Sequence, residues 1–373
     1  MKVLVCPDKF KGSLTVDQVC DAMRTGIHRF SSQIEVQTIA LADGGEGSLD
    51  ILAGLKDAQC ISIEVFDPLF RPVVANYVLH GSVAYIEMAQ ASGLLLLKPE
   101  ERNPMYTSTF GTGELIKNAI ERGATHIFVM IGGSATNDGG CGMAEALGVK
   151  FHNQVGRQLT NLCGKDLQNV YHIDFSALDQ FKEIKFTILS DVANPLLGKE
   201  GASLVYAPQK GADLEESVNL DQGLQQLTSV MKNGKEKVSG AGAAGGLGYG
   251  LMSFFDAEIK SGIDEIIRLT NFEAQMKTSD FVLTGEGKLD DQTLSGKLID
   301  GVARVVRKNN IPFAIICGIC SEVDTLQKSL GAETIMAIAD RAPSLEHAMA
   351  EAAQYVEQLS YETIQRCVEK YSR

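Results

Sequence analysis

Strand–helix alternation at both ends of the chain, and its loss in the middle, is the feature that most constrains the fold. KVLVCPD reads as a buried strand and TVDQVCDAMRTGIHRF as an amphipathic helix. In that helix Thr15 and Gln18 are spaced as a capping box, and Val16, Val19, Met23 and Ile27 mark one face. EVQTIALAD gives a second strand, and a helix follows from about Ser48 to Leu55. The rhythm returns from Asp280, with DFVLTGEG, PFAIICG and TIMAIAD as strands, a helix from Leu298 to Arg307, and a long last helix from Leu345 to Glu369. Such alternation implies a parallel sheet with helices on both faces, because each parallel connection needs a crossover.

The middle reads differently. From about Ile61 to Glu87 apolar and polar residues alternate, broken by Pro68, Pro72 and Gly81, as in antiparallel strands joined by turns. GTGELIKNAIERG is a short helix stopped by Gly123, and it leads into the strand THIFVM. From Phe151 to Lys277 the pattern predicts strands at FTILSD and SLVYAP and a helix around Leu214 to Met231. The expected fold is therefore α/β with two domains. Residues 1–60, 107–147 and 278–373 form a Rossmann-like or flavodoxin-like parallel-sheet domain from both chain ends, and residues 61–106 and 148–277 form an inserted mixed α/β domain.

A chain of 373 residues is long enough for two domains or one large one, and with 45% hydrophobic residues it can bury a sizeable core. No apolar run approaches the roughly 18 residues that a membrane span needs. MKVLVCPDKF is charged too early for a secretory signal, so the expected location is the cytoplasm. The net charge of −13 argues against a nucleic-acid partner, but a small anion held by local lysines and backbone amides fits it. The eight cysteines are scattered, as in a reducing compartment. Cys317 and Cys320 form the one C-x-x-C, which reads as two small buried residues rather than as a metal or redox pair.

The 37 glycines cluster in LADGGEG, FGTGE, IGGSATNDGG, GAGAAGGLGYG and TGEGKLD. Most of these clusters follow a predicted strand or open a helix, where amides can approach an anion. There is no G-x-x-x-x-G-K-[ST], and the G-x-G-x-x-G at Gly240, Gly242 and Gly245 does not follow a strand, so the P-loop and dinucleotide-binding contexts both fail. That segment either faces a ligand or packs glycine against a neighbour. Asp43 and Glu46 suit Mg²⁺, or Asp43 caps the next helix. Asp191 is placed as a general base or as an Asx-turn. Glu286, Lys288, Asp290 and Lys297 stand among glycines, as a phosphate and metal site or as a charged surface loop. Asp8, Lys9 and Lys11 separate the first strand from the first helix, as an anion contact or as solvated side chains. All six histidines fall outside these loops, so the groups on offer are carboxylates, lysines, hydroxyls and amides, which phosphoryl transfer uses.

PDKFKGSL, ADGGEG, NPMYTSTFGTGELI, IGGSATNDGGCGMAEALG, SDVANPLLG, YAPQKGA, GAGAAGGLG and TGEGKLDDQT occur in that order. The chain resembles the bacterial glycerate kinase family of the first type nearly end to end. It departs at Lys9, Gly12 and Ser190, where members often carry Ser, Glu and Cys. The resemblance implies ATP-dependent phosphorylation of D-glycerate, with Mg²⁺, to give phosphoglycerate, the 2-phosphate favoured over the 3-phosphate, and two α/β domains with the site in the cleft between them. On that basis Gly132, Gly133, Ser134, Asn137, Asp138, Gly285, Glu286 and Gly287 are expected at the nucleotide phosphates. Asp43, Glu46 and Asp290 are expected at the metal, and Asp191 and Lys288 in catalysis. Asp138 reads equally as a helix cap. Lys9, Lys11, Arg71, Arg102, Thr109, Gly111 and Thr112 are the candidates for glycerate. Two alternatives stand beside this reading: a kinase for another small hydroxy acid, and a non-catalytic binder of sugar acids. No nucleic-acid or membrane partner is expected, and a homo-oligomer is compatible with the sequence.

Overall fold

A computed structural model describes residues 1–42, 44–45, 47–290 and 298–371. The chain divides into two compact units, Met1–Asp43 with Ile263–Arg373, and Gly44–Gly262. The first unit begins with β1 (Lys2–Val5) and β2 (Glu35–Thr38). The second contains β3 (Ala58–Phe66), β4 (Pro72–His80), β5 (Val83–Glu87), β6 (His126–Met130), β7 (Lys150–His152), β8 (Gln158–Leu159), β9 (His172–Asp174), β10 (Lys185–Leu189) and β11 (Glu258–Lys260). The chain then returns to the first unit with β12 (Phe281–Leu289), β13 (Phe313–Cys320) and β14 (Thr334–Ala337).

In the first unit the sheet order is β14-β13-β12-β1-β2, and every pair is parallel. Counted within the unit this is the flavodoxin-like order 2-1-3-4-5, whose ligand site lies where the order reverses, at the carboxyl ends of β1 and β12. The apolar runs of the sequence become the core: Val3, Val5, Leu283, Ile316 and Met336 pack together. The helix Val16–Phe30 has its Thr15/Gln18 capping box in place and buries Val19, Met23 and Ile27. It lies so close to the last helix, Ala352–Tyr371, that a Cβ at Gly26 would sit 2.1 Å from the carbonyl oxygen of Glu357.

The second unit has a mixed six-stranded sheet, β11-β10-β6-β5-β4-β3, and a small antiparallel sheet, β8-β7-β9. The expected antiparallel region is there: β3 pairs with β4 and β4 with β5. Strands β5, β6, β10 and β11 run parallel, so their carboxyl ends share one edge.

The structure corrects four expectations. Residues 44–60 and 107–147 belong to the second unit, because β6 is hydrogen-bonded between β5 and β10; residues 263–277 belong to the first unit instead. Alternation identifies a strand but not the sheet it joins. SLVYAP holds the helix Ala202–Tyr206, not a strand, and a short apolar run is the case that periodicity does not resolve. The long last helix is broken into Leu345–Ala350 and Ala352–Tyr371. The stretch Gly285–Leu289 is not a loop: it continues β12, with Glu286 opposite Cys317 and Lys288 opposite Ile319. Among the described residues no helix is long and apolar enough to cross a membrane.

Candidate active site

The first unit has a cavity of about 380 Å³ at the switch point of its sheet. Asp8, Lys9, Phe10, Lys11 and Ser13 enter it from the segment after β1, and Glu286, Gly287 and Lys288 from the end of β12. These two segments are tied together by the Asp8 amide, which donates to the Gly285 carbonyl at 2.7 Å. The opposite wall is apolar, with Ile319, Ile338, Leu345 and Met349. Four residues that the sequence placed in separate motifs, Lys9, Lys11, Glu286 and Lys288, thus share one cavity. Lys288 is ion-paired with Asp290 at 3.1 Å. Asp43 and Glu46 lie outside the described residues. Among the described residues no histidine or cysteine lines the cavity. Burial pushes the Cys317 and Cys320 thiols up, and no group of three or more His, Cys, Asp or Glu side chains is arranged for a metal among the described residues.

The second unit gathers its candidates on the shared carboxyl edge of β5, β6 and β10. Asp191 follows β10, the segment Gly132–Asp138 follows β6, and Glu87 ends β5. Glu87 is buried, accepts a hydrogen bond from the Gly47 amide at 3.0 Å, and lines a cavity of about 220 Å³ with Gln90, Gly93 and Gly133. Sequence reasoning passed over Glu87 as part of a strand. The available signal was a lone carboxylate at the end of an otherwise apolar run.

The segment after β6 is held from three sides. Ser134 forms an antiparallel bridge with Gly93, and the Ala135 amide donates to the Ser92 carbonyl at 2.9 Å. The Thr107 hydroxyl donates to the Ala135 carbonyl at 2.9 Å. The Gly/Ala segment packs from behind: Gly245 has φ 65°, and a Cβ there would sit 2.0 Å from the Thr136 carbonyl oxygen. The glycines of GAGAAGG therefore make room for the loop. Asn137 donates to the Ser203 hydroxyl at 2.9 Å.

Asp138 is fully buried, and its carboxylate accepts four hydrogen bonds. Three come from the amides of Thr109, Gly140 and Gly142, at 2.8, 3.1 and 3.2 Å, and one from the Thr109 hydroxyl at 2.7 Å. Burial pushes its pKa up, and these bonds pull the other way. The structure uses Asp138 as a buried clamp between the starts of the helices Phe110–Glu121 and Cys141–Ala146.

The residues expected at glycerate are spread out. Thr109 serves Asp138, Thr112 shares a hydrogen bond with Ser92 at 2.8 Å, and Gly111 packs against the Phe66 carbonyl. Arg71 is engaged by Asp67 and Glu101, each at 2.7 Å. The Nε of Arg102 is buried with no hydrogen-bond partner among the described residues. The cation that sequence reasoning missed is Lys210, which is 3% exposed. Its Nζ donates to the Ser134 hydroxyl at 2.7 Å and to the Thr136 carbonyl at 2.8 Å. Burial pushes its pKa down to about 7, while the charge of Asp138 pulls upward. The signal was the YAPQKGA string, which carries one lysine beside small residues.

Lysines, carboxylates and glycine-rich segments at strand carboxyl ends are the groups that phosphotransferases use. A model of the Glycerate kinase family matches residues 3–368. A glycerate kinase of Halalkalibacterium halodurans is 39% identical over 363 residues, covering 95% of each chain. A glycerate 2-kinase of Escherichia coli K12 is 40% identical over 325 residues, covering 85% of each. A crystal structure described as glycerate kinase 2, from Salmonella typhimurium LT2, superposes with a TM-score of 0.84 at 34% identity over the whole of both chains. The chain belongs to the glycerate kinase family and is a kinase.

Proposed function

We propose that this kinase transfers the terminal phosphoryl group of ATP to O2 of D-glycerate, giving 2-phosphoglycerate and ADP. The glycerate hydroxyl oxygen forms the new bond to phosphorus, the bond to the ADP oxygen breaks, and the hydroxyl proton passes to Asp191. The observation that carries this reading is the switch-point cavity of the first unit, where Lys9, Lys11 and Lys288 meet Asp8 and Glu286. Lysines there offset the charge of phosphoryl oxygens. The apolar wall suits a nucleobase, and the name of the Escherichia coli relative favours the 2-position.

Asp8 and Glu286 also fit Mg²⁺, which takes one or two protein carboxylates and completes its shell with water and phosphate oxygens. Asp43, Glu46 and Asp290 are the further proposed ligands. Bound there, the ion would neutralise charge developing on the transferred group. In this reading the accessible end of the segment after β6, from Gly132 to Ser134, contacts phosphoryl oxygens, and Arg102 is the cation nearest in kind to the need of the glycerate carboxylate.

The test is ³¹P NMR of the product formed from ATP, Mg²⁺ and D-glycerate. The expected spectrum shows ADP and a phosphate ester at C2. An ester at C3 removes the 2-position, and absence of ADP with D-glycerate, but not with another hydroxy acid, removes glycerate as the acceptor.

A further inference from the structure

We propose that Lys210 is a positioning residue for phosphoryl transfer: from beneath the Gly132–Asp138 loop its ammonium holds the Ser134 side chain so that the hydroxyl proton points outward to a phosphoryl oxygen. This rests on the reading above that the loop contacts the phosphoryl group.

The loop itself contains no lysine or arginine. Among the described residues the cation hydrogen-bonded to it is Lys210, whose two hydrogen bonds go to Ser134 and Thr136 of that loop. A hydroxyl has one proton and two lone pairs. Because the ammonium donates to Ser134 Oγ, one lone pair is taken and the hydroxyl proton is free to point elsewhere. Ser134 keeps 8% of its surface exposed next to the exposed Gly133, and Lys210 keeps 3%, so the loop meets the surface beside this hydroxyl rather than beside the lysine. A donor backed by a positive charge is stronger than a neutral one. Thr136 Oγ1 and Asn137 Oδ1 are also buried without a hydrogen-bond partner among the described residues, so this loop carries more polar capacity than its own fold uses.

Lys210 forms no ion pair among the described residues. The charged groups on the elements around it are otherwise engaged. Asp138 is held by four hydrogen bonds, Asp213 and Glu216 cap the next helix together, and Arg102 presents its main chain to Gly211. A buried ammonium that no carboxylate contacts directly is costly even with Asp138 nearby, and an arriving phosphoryl anion would add opposing charge. Binding then favours the protonated lysine, so nucleotide binding and proton uptake are linked.

The test is a kinetic double-mutant cycle with Lys210→Met and Ser134→Ala, measuring kcat and KM for both substrates alongside thermal unfolding. Each single change is expected to lower kcat/KM for nucleotide by on the order of 10- to 100-fold. The double variant is expected to be no worse than the poorer single one, because Lys210 acts through Ser134. Full kcat/KM in Lys210→Met, or losses that multiply in the double variant, overturns the proposal. If Ser134→Ala is itself unaffected for both substrates, the loop does not touch substrate and the underlying reading fails instead. Should Lys210→Met not fold, calorimetry of the wild type at about pH 8.5, where a terminal phosphate is already ionised, decides. Proton uptake on nucleotide binding is expected, and zero uptake overturns the proposal.

Discussion

The carboxyl edges of the two sheets hold the same kinds of side chain in opposite states. In the first unit Lys9, Lys11 and Lys288 line an open cavity with Asp8 and Glu286. In the second, Asp138 is buried at the end of a glycine-rich loop and held by neighbouring amides, and Lys210 is buried against the same loop, with hydrogen bonds to Ser134 and Thr136. A charge in a cavity is held near water and can trade it for a ligand. A charge under a loop has already traded water for protein, and it shapes what the loop presents. On the proposed reading, the cavity lysines meet substrate while Asp138 and Lys210 set backbone geometry; Glu286 stands between the two groups, lining the cavity yet only 8% exposed.

Asp138→Ala is expected to have the largest effect. The amides of Thr109, Gly140 and Gly142 and the Thr109 hydroxyl would lose their common acceptor inside a buried site. The expected loss is about 3–5 kcal/mol of stability, read from urea unfolding. An unchanged midpoint would mean that the clamp is not structural, and that the carboxylate belongs with the ligand-facing groups.

The α/β class, a parallel sheet built from both chain ends and many of the elements were legible, because periodicity and caps are local. Thr15 and Gln18 cap the first helix as their spacing requires, and Leu214–Met231 is the helix that was expected. Sheet membership was not legible, since His126–Met130 is equally at home in either parallel sheet until its partners are known. The site was legible as strings and not as neighbours. Lys9, Lys11, Glu286 and Lys288 could be listed but not brought together, because parallel β1 and β12 are paired across more than two-thirds of the chain. Lys210 was missed for a related reason: it reaches Ser134 from 76 residues away, and its own surroundings look like an ordinary turn.

A second prediction tests the buried charge by pH. Burial puts the folded pKa of Lys210 at about 7, below the ordinary 10.5. Below the lower value both folded and unfolded states hold the proton, and the burial penalty is fully present. As pH rises between the two values the unfolded chain keeps a proton that the folded state has lost, so stability rises. Relative to Lys210→Met, in which this titration is absent, the wild type should gain roughly 2 kcal/mol between about pH 7 and pH 9. A difference that stays flat with pH would show that the lysine is not desolvated as the geometry requires.

The smallest effect on the fold, and the one that completes the contrast, belongs to Lys288. Its side chain is 67% exposed, and its ion pair with Asp290 is of the solvated kind that contributes little. Lys288→Met should therefore leave the urea midpoint within about 0.5 kcal/mol of wild type. In the cavity the same change removes a cation from the proposed phosphate contact, so kcat/KM for nucleotide should fall by roughly tenfold or more, a loss of about 1.4 kcal/mol in transition-state stabilisation. Raising the ionic strength should narrow the gap between the two proteins, because an exposed charge is screened within a Debye length. If Lys288→Met instead loses stability and keeps its kinetics, the open cavity is held together by its charges in the same way as the buried loop, and the division between the two units does not hold.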